Sequence, residues 1–390
     1  MSTQVAYLDN AATTAMLPEA LEVLNRESAV VGNASSLHGA GRRARKVVEE
    51  SRERIAAAVG AKPQEIIFTA SGTEANNLAV KGLYWMRQKS HSDKNAVLTS
   101  PIEHHAILDP LEWLEREENV ELLFTSVDDL GVIRIGSAAQ LLEERHSEIS
   151  FATIMHSNNE TGALQPVSDI ATQVTEYQIP IHTDAVQSFG KVPLDFHKLG
   201  VDAMTISAHK IGGPLGVAAL VAKKNLELTP LLHGGGQERD VRSGTLHTPS
   251  IAAFAVASEL SQQRLLDNDF RIRALRERLI RGITTSVTDV HVNGGAETLP
   301  GIAHFTFAGA EGDALLLLLD AQGVQCSTGS ACSAGIAQPS HVLLAMGMAP
   351  KVARSSIRFS IGVTTTDAEI DRAISVIGEV VTRARAAGVR

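Results

Sequence analysis

Short apolar runs alternate with amphipathic stretches through the first two-thirds of the chain. Glu65-Ile66-Ile67-Phe68-Thr69 predicts a strand, followed by a helix from about Glu74 to Gln88. Ala96 to Thr99 predicts the next strand, and Ile107 to Glu118 the next helix. Phe151–His156, Ile179–Thr183, Ala203–Ser207 and Val217–Val221 continue the strand series. Apolar strands separated by helices predict an α/β fold with a mostly parallel central sheet covered by helices on both faces. Ligands of such sheets sit at the carboxyl ends of the strands, and the polar clusters of this chain fall there.

Beyond Ile251 the pattern changes. A long helical period runs to Arg281, with Leu260, Leu265, Leu266, Leu275 and Ile280 on its apolar side. Strand-like segments follow at Val290–Val292 and Ile302–Phe307, and then a helix, a loop and a closing helix. This predicts a smaller α+β domain made of residues 1–15 and 256–390, beside a large domain of residues 16–255.

Composition narrows the function classes. A net charge of −9 argues against direct nucleic-acid binding as the main activity. The basic stretch Arg42-Arg43-Ala44-Arg45-Lys46 runs into Glu49, Glu50, Arg52, Glu53 and Arg54, the pattern of a solvated helix face with i,i+4 pairs. The two cysteines, Cys326 and Cys332, form neither a disulfide framework nor a zinc motif. The first residues lack the charged and apolar regions of a secretory signal, and the Leu315–Leu319 run, bounded by Asp313 and Asp320, is too short to cross a bilayer. The expectation is a cytoplasmic protein with no membrane contact.

The strand ends carry the candidate chemistry. Ser207-Ala208-His209-Lys210-Ile211-Gly212-Gly213-Pro214 follows an apolar run. Lys210 is either a strand-end lysine with its head in water or a buried amine of lowered pKa, available for a Schiff base. Thr69-Ala70-Ser71-Gly72-Thr73-Glu74 lies between a strand and a helix, as a phosphate cup or an ordinary N-cap. Asp184, in His182-Thr183-Asp184, can hold a pyridine nitrogen protonated or cap a helix. Asn158-Asn159-Glu160-Thr161-Gly162 offers an amide to a phenolic oxygen or organises a turn. Glu103-His104-His105 offers an imidazole that can stack on an aromatic cofactor or carry protons, and lacks a third ligand at zinc spacing. A phosphate cup, a stacking ring, a pyridine-nitrogen partner and a Schiff-base lysine are together the parts that pyridoxal 5′-phosphate needs.

Nearly end to end, from Tyr7-Leu8-Asp9-Asn10-Ala11-Ala12-Thr13-Thr14 to Ser355-Ser356-Ile357-Arg358-Phe359-Ser360, the chain resembles the cysteine desulfurases, class V members of the fold-type I pyridoxal-phosphate enzymes. The resemblance implies a cofactor-bearing Lys210 and an Asp184 on the ring nitrogen. It puts Gln187 and Asn159 on the ring oxygen and stacks His104 on the ring. Gly72, Thr73, Ser207 and His209 take the phosphate. Thr245, in Arg242-Ser243-Gly244-Thr245, would reach the phosphate of the partner subunit in a homodimer. Arg358, with Asn159, would bind the substrate, since a guanidinium meets a carboxylate through two parallel hydrogen bonds.

Thr328-Gly329-Ser330-Ala331-Cys332-Ser333-Ala334-Gly335 is nearly all small residues, which suits a mobile loop over about residues 326–338. It resembles the long-loop group of housekeeping iron–sulfur desulfurases. Cys332 then takes sulfur from L-cysteine, leaving L-alanine and a persulfide for an iron–sulfur scaffold or a tRNA-thiolating enzyme. The resemblance implies no resident metal, with Cys332 at most a transient iron–sulfur ligand. Cys326 reads as structural. Many housekeeping members extend beyond the last helix to dock the scaffold, whereas this sequence stops at Arg390, so a tRNA-thiolating enzyme stands beside iron–sulfur assembly as a destination for the sulfur. The competing readings are a selenocysteine lyase or an aminotransferase of the same fold, or a scaffold or carrier subunit with little turnover. Rates on cysteine and selenocysteine, consumption of a keto acid, and the intact Lys210, Asp184, His104 and Cys332 discriminate among them.

Overall fold

In the computed structural model, which describes residues 5–329 and 338–388, the strand–helix alternation closes into a seven-stranded sheet. Its order across the sheet is Ile66–Thr69, Ala218–Ala222, Ala203–Ser207, Ile181–Asp184, Ile149–Thr153, Ala96–Thr99, Glu121–Phe124. Ala218–Ala222 runs antiparallel to both neighbours and the other pairings are parallel. Most of these strands are buried along their whole length. That is why they read as continuous apolar runs and not as alternating ones. This is the mostly parallel, helix-covered sheet that the strand–helix alternation predicts.

The helix after the first strand of this sheet spans Gly72–Ser90, and Ser71 caps it by accepting from the Glu74 amide at 3.1 Å. It therefore begins two residues ahead of the position predicted from periodicity, which puts Gly72 and Thr73 in its first turn. The strand Glu121–Phe124 was not predicted. It is an edge strand with exposed positions and lacks the fully buried signature of its neighbours.

The long helical period after Ile251 is two helices, Thr248–Gln263 and Leu265–Ser286, broken at Arg264. The first packs into the core beneath the large sheet through Ile251, Phe254 and Ala257. The second turns Ile272, Leu275, Leu279 and Ile283 into a separate core. A single straight helix cannot present one stripe to both, so the chain changes direction where it passes between them. The second core also holds a three-stranded antiparallel sheet of Val290–Asn293, Ile302–Phe307 and Ser356–Ser360. Val324–Gln325 pairs in parallel with Ala6–Tyr7, which ties the N-terminal segment to this core. Residues Val342, Leu343, Met346 and Ala353 pack instead into the first core, so the 256–390 range predicted for the smaller unit is crossed by this segment.

The charged helix Gly39–Ala58 is solvated only in part. Lys46 and Glu50 form the expected i,i+4 pair at 3.6 Å. Arg52 turns inward and forms a buried two-pronged pair with Glu238, at 2.7 and 2.8 Å. Cys326 is buried in the second core, and burial pushes its thiol well above the ordinary range. Among the described residues, no helix is long and apolar enough to cross a membrane.

Candidate active site

Four strands of the large sheet, Ala96–Thr99, Ile149–Thr153, Ile181–Asp184 and Ala203–Ser207, end on one side, and their following residues converge on the N-terminus of the Gly72–Ser90 helix. The space between is a cavity of about 240 Å³. Gly72, Thr73, His104, Asn159, Asp184, Gln187, Ser207, His209 and Lys210 all line it.

At one end is the helix terminus. Its backbone N–H groups and dipole favour an anion. Ser207 is buried beside it, and its Oγ has no protein partner. A Cβ on Gly72 would lie 3.2 Å from Val186 Cγ2 and 3.8 Å from Ser207 Cβ, so the cup is close-fitting. His209 places Nδ1 3.2 Å from Thr13 Oγ1, and burial, followed by the Lys210 cation, pulls its pKa down to about 4. A neutral His209 binds an anion through a hydrogen bond and not through charge.

Asp184 lies deeper and is buried. Its Oδ1 accepts from the Val186 amide at 2.9 Å, and its Oδ2 from Asn76 Nδ2 at 2.6 Å. Beside it, Glu103 is fully enclosed. Burial raises its pKa far above the carboxylate range, while its Oε1 accepts from the Met155 amide at 2.6 Å. His104 caps the His105–Glu118 helix, with Nδ1 accepting from the Ala106 amide at 3.0 Å. Burial lowers its pKa. A neutral His104 whose Nδ1 accepts carries its proton on Nε2.

Lys210 ends a single 3₁₀ turn after the Ala203–Ser207 strand. Its Nζ donates to the Ala11 and Ala12 carbonyls at 2.5 and 2.7 Å. Thr14 braces the same turn, its hydroxyl donating to the His209 carbonyl at 2.8 Å. Burial, and next the Arg358 cation, bring the Lys210 pKa down to about 8, with Asp9 and Asp184 opposing. Of the two readings open in the sequence, the solvated strand-end lysine is not what the fold builds. Gln187 donates Nε2 to the Ala11 carbonyl and accepts from Lys191 Nζ, both at 2.9 Å.

Three predicted residues lie outside this cluster. Arg358, on the Ser356–Ser360 strand, is buried; Nη2 pairs with Asp9 Oδ1 at 2.9 Å, Nη1 donates to the Asn159 carbonyl at 2.8 Å, and Nε has no partner. Thr245 is exposed and does not line the cavity. Its loop is tied to the Gly72–Ser90 helix through Arg242 and Glu74 at 2.7 Å. Cys332, with most of the loop predicted around it, lies outside the described residues. The flanking positions on both sides approach one carboxyl group. A Cβ on Gly329 would lie 3.1 Å from Glu160 Oε2, and Ser340 Oγ donates to that oxygen at 2.5 Å.

Sequence reading missed Asn76, Asp9 and Lys191. Asn76 had a signal: it stands one helical turn after Gly72, on the face that the cup presents.

The residues present fit pyridoxal 5′-phosphate. A close-fitting anion cup with an unpartnered buried hydroxyl lies at one end of the cavity, with a buried aspartate and a primary amine of lowered pKa along its wall.

A family model described as aminotransferase class-V matches residues 6–373. The chain is 45% identical over 387 residues to an IscS-like cysteine desulfurase of Mycobacterium tuberculosis, covering 99% of this chain and 98% of that protein. It is 40% identical over 383 residues to cysteine desulfurase IscS of Dictyoglomus turgidum, covering 97% and 95%. Among solved structures it resembles a NifS-like protein with a TM-score of 0.88 and 33% identity, covering 97% of this chain and 100% of that one.

Proposed function

The chain belongs to the aminotransferase class-V family and is a pyridoxal-phosphate-dependent cysteine desulfurase, and from that premise we propose how its own residues divide the work. The observation that carries the proposal is the opening of Lys210, Asp184, His104 and the Gly72–Thr73 helix terminus into one cavity.

Gly72, Thr73, Ser207 and His209 hold the phosphate, and His104 stacks on the ring. Gln187 and Asn159 meet the ring oxygen, and Asp184 keeps a proton on the ring nitrogen. When bound, the cofactor supplies an electron sink for the pair released as the α-proton leaves the substrate. Lys210, which also anchors the cofactor, takes that proton; a lysine with pKa near 8 is partly neutral at physiological pH and suited to the task. Arg358 orients the L-cysteine carboxylate. The Cys332 thiolate attacks the substrate sulfur, the Cβ–S bond breaks with its electron pair moving toward carbon, and protonation yields L-alanine and a Cys332 persulfide. That sulfur passes to an acceptor, for which an iron–sulfur scaffold or a tRNA-thiolating enzyme is the partner we propose. The exposure of Thr245 supports a homodimer in which it reaches the partner's phosphate.

The test is to add L-cysteine to the purified holoenzyme and measure alanine. Cys332→Ser is expected to keep the bound cofactor and lose alanine formation, and Cys326→Ser to keep both. Sulfide release at the normal rate from Cys332→Ser would remove Cys332 from the mechanism. Trapping a mixed disulfide at Cys332 identifies the acceptor.

A further inference from the structure

Lys191 presents a problem in charge burial that the reaction itself does not explain. It is half-buried at the wall of a second cavity, of about 290 Å³, which shares Lys210 with the cofactor pocket. The charged groups that act on its ammonium are Lys210 and Arg358, both cations. The charged residues across the cavity are already engaged: Arg264 with Glu19 at 2.7 Å and Asp269 with Arg273 at 3.0 Å. No carboxylate among the described residues pairs with Lys191. Burial, reinforced by Lys210 and Arg358, brings its pKa down to about 7. A methionine or leucine would fill the same volume without that penalty.

The single side-chain partner of Lys191 among the described residues is Gln187 Oε1, at 2.9 Å. An ammonium only donates, so the carboxamide must turn its oxygen to Lys191. The Ala11 carbonyl only accepts, so it must face the amide nitrogen, which it does at 2.9 Å. These two partners independently require the same orientation. The Gln187 nitrogen keeps a second proton, and Gln187 lines the cofactor cavity. The charged form of Lys191 only donates and so fixes the Gln187 oxygen toward it; the neutral amine can also accept, and in that form the Ala11 carbonyl holds the same orientation.

We propose that Lys191 is a positioning residue that locks the Gln187 carboxamide with its amino group toward the cofactor's ring oxygen, so that this oxygen is met by a donor. The inference rests on the reading of Gln187 as the ring-oxygen partner. A donor there stabilises the ionised oxygen and lowers the pH at which the bound cofactor's absorbance band changes. An unlocked amide that turns its own oxygen toward the ring raises that pH.

The experiment titrates the absorbance of the holoenzyme against pH for the wild type, Gln187→Ala, Lys191→Met, Lys191→Arg and the double variant Lys191→Met/Gln187→Ala. Lys191→Met is expected to raise the midpoint by about half to one pH unit. Lys191→Arg, which also only donates, stays near the wild type. In the Gln187→Ala background the Lys191 substitution adds nothing further. Should Lys191→Met not retain cofactor, Lys191→Leu carries the same comparison: it cannot donate, so a raised midpoint supports the proposal and one at the wild-type value beside a shifted Gln187→Ala overturns it. A Lys191 effect that persists undiminished in the double variant would be a through-space effect of the cation and would overturn the proposal. So would an unmoved Lys191→Met midpoint alongside a shifted Gln187→Ala. An unmoved Gln187→Ala removes the ring-oxygen reading itself and the inference with it.

Discussion

Asn76 donates its side-chain amide to Asp184 Oδ2 at 2.6 Å, from a position one turn into the helix whose first residues form the phosphate cup. The two ends of the cofactor site are thereby held by a single helix. Ser71 caps the start of that helix, beside the proposed phosphate cup, and Asn76 holds the aspartate from one turn further on. Among the described residues the Asp184 carboxylate accepts two hydrogen bonds, and the other comes from the Val186 amide.

Asn76→Leu removes one of these without changing much volume. Hydrogen bonds to charged groups contribute about 1.5–3 kcal/mol. Cofactor affinity of the apoprotein, read by absorbance titration, is therefore expected to fall by roughly 10- to 100-fold. Unchanged affinity would mean that the Val186 amide alone orients Asp184.

How much of this was legible in the sequence follows from what each signal depends on. Asp184, Lys210 and the Gly72–Thr73 cup are strand-end or helix-start positions, and these are set by local periodicity. Arg52 was misread because its decisive partner, Glu238, lies far away in sequence, and a charge pattern shows only the partners at helical spacing. The Ser356–Ser360 strand was hidden for a related reason. Its polar positions are buried, with Ser360 serving the N-terminal segment and Arg358 bound to Asp9, so no apolar–polar contrast marks it. The break at Arg264 depends on the existence of two cores, which no single stripe of apolar residues records.

Arg358 has five N–H donors and spends one on Asp9 and one on the Asn159 carbonyl. Nε is buried and has no partner among the described residues, and the donors beyond those two are the ones the proposed carboxylate contact would use. Arg358→Lys keeps the charge but loses the planar fork. The expected result is a KM for L-cysteine raised by at least about 10-fold with a smaller change in kcat, the signature of lost uniform binding. A drop in kcat with KM unmoved would assign Arg358 to the chemical step instead.

Arg52 and Glu238 couple the Gly39–Ala58 helix to the loop that carries Thr245. Glu238 Oε2 also accepts from the Phe68 amide at 2.9 Å, and the guanidinium stands 4.6 Å from the centre of the Phe68 ring. Glu238→Ala leaves the buried guanidinium with only the Ile66 carbonyl and the exposed Glu49 carboxylate, and breaking a buried pair in this way costs up to about 3–5 kcal/mol. Replacing both partners, as Arg52→Met/Glu238→Met, removes the stranded charge and is expected to cost less than the single variant. Urea unfolding measures both. A double variant as unstable as the sum of its singles would show that the pair is not coupled.

The pH at which apoprotein captures its cofactor tests the state of Lys210. Only the neutral amine attacks a carbonyl, so the capture rate rises with pH until Lys210 is deprotonated and then levels. Burial and the Arg358 cation place that point at about 8, whereas an ordinary lysine levels above about 10.4. The two charges bordering Lys210 give opposite signs. Removing the cation with Arg358→Gln raises the Lys210 pKa and moves the plateau to higher pH. Removing the carboxylate with Asp9→Asn takes away a stabiliser of the ammonium and moves it to lower pH. Stopped-flow absorbance on adding pyridoxal 5′-phosphate reads each profile. A wild-type rate still climbing through pH 10 would show that Lys210 is charged and solvated before the cofactor arrives. Shifts of the same sign in the two variants would show that the profile reports folding of the site and not the amine.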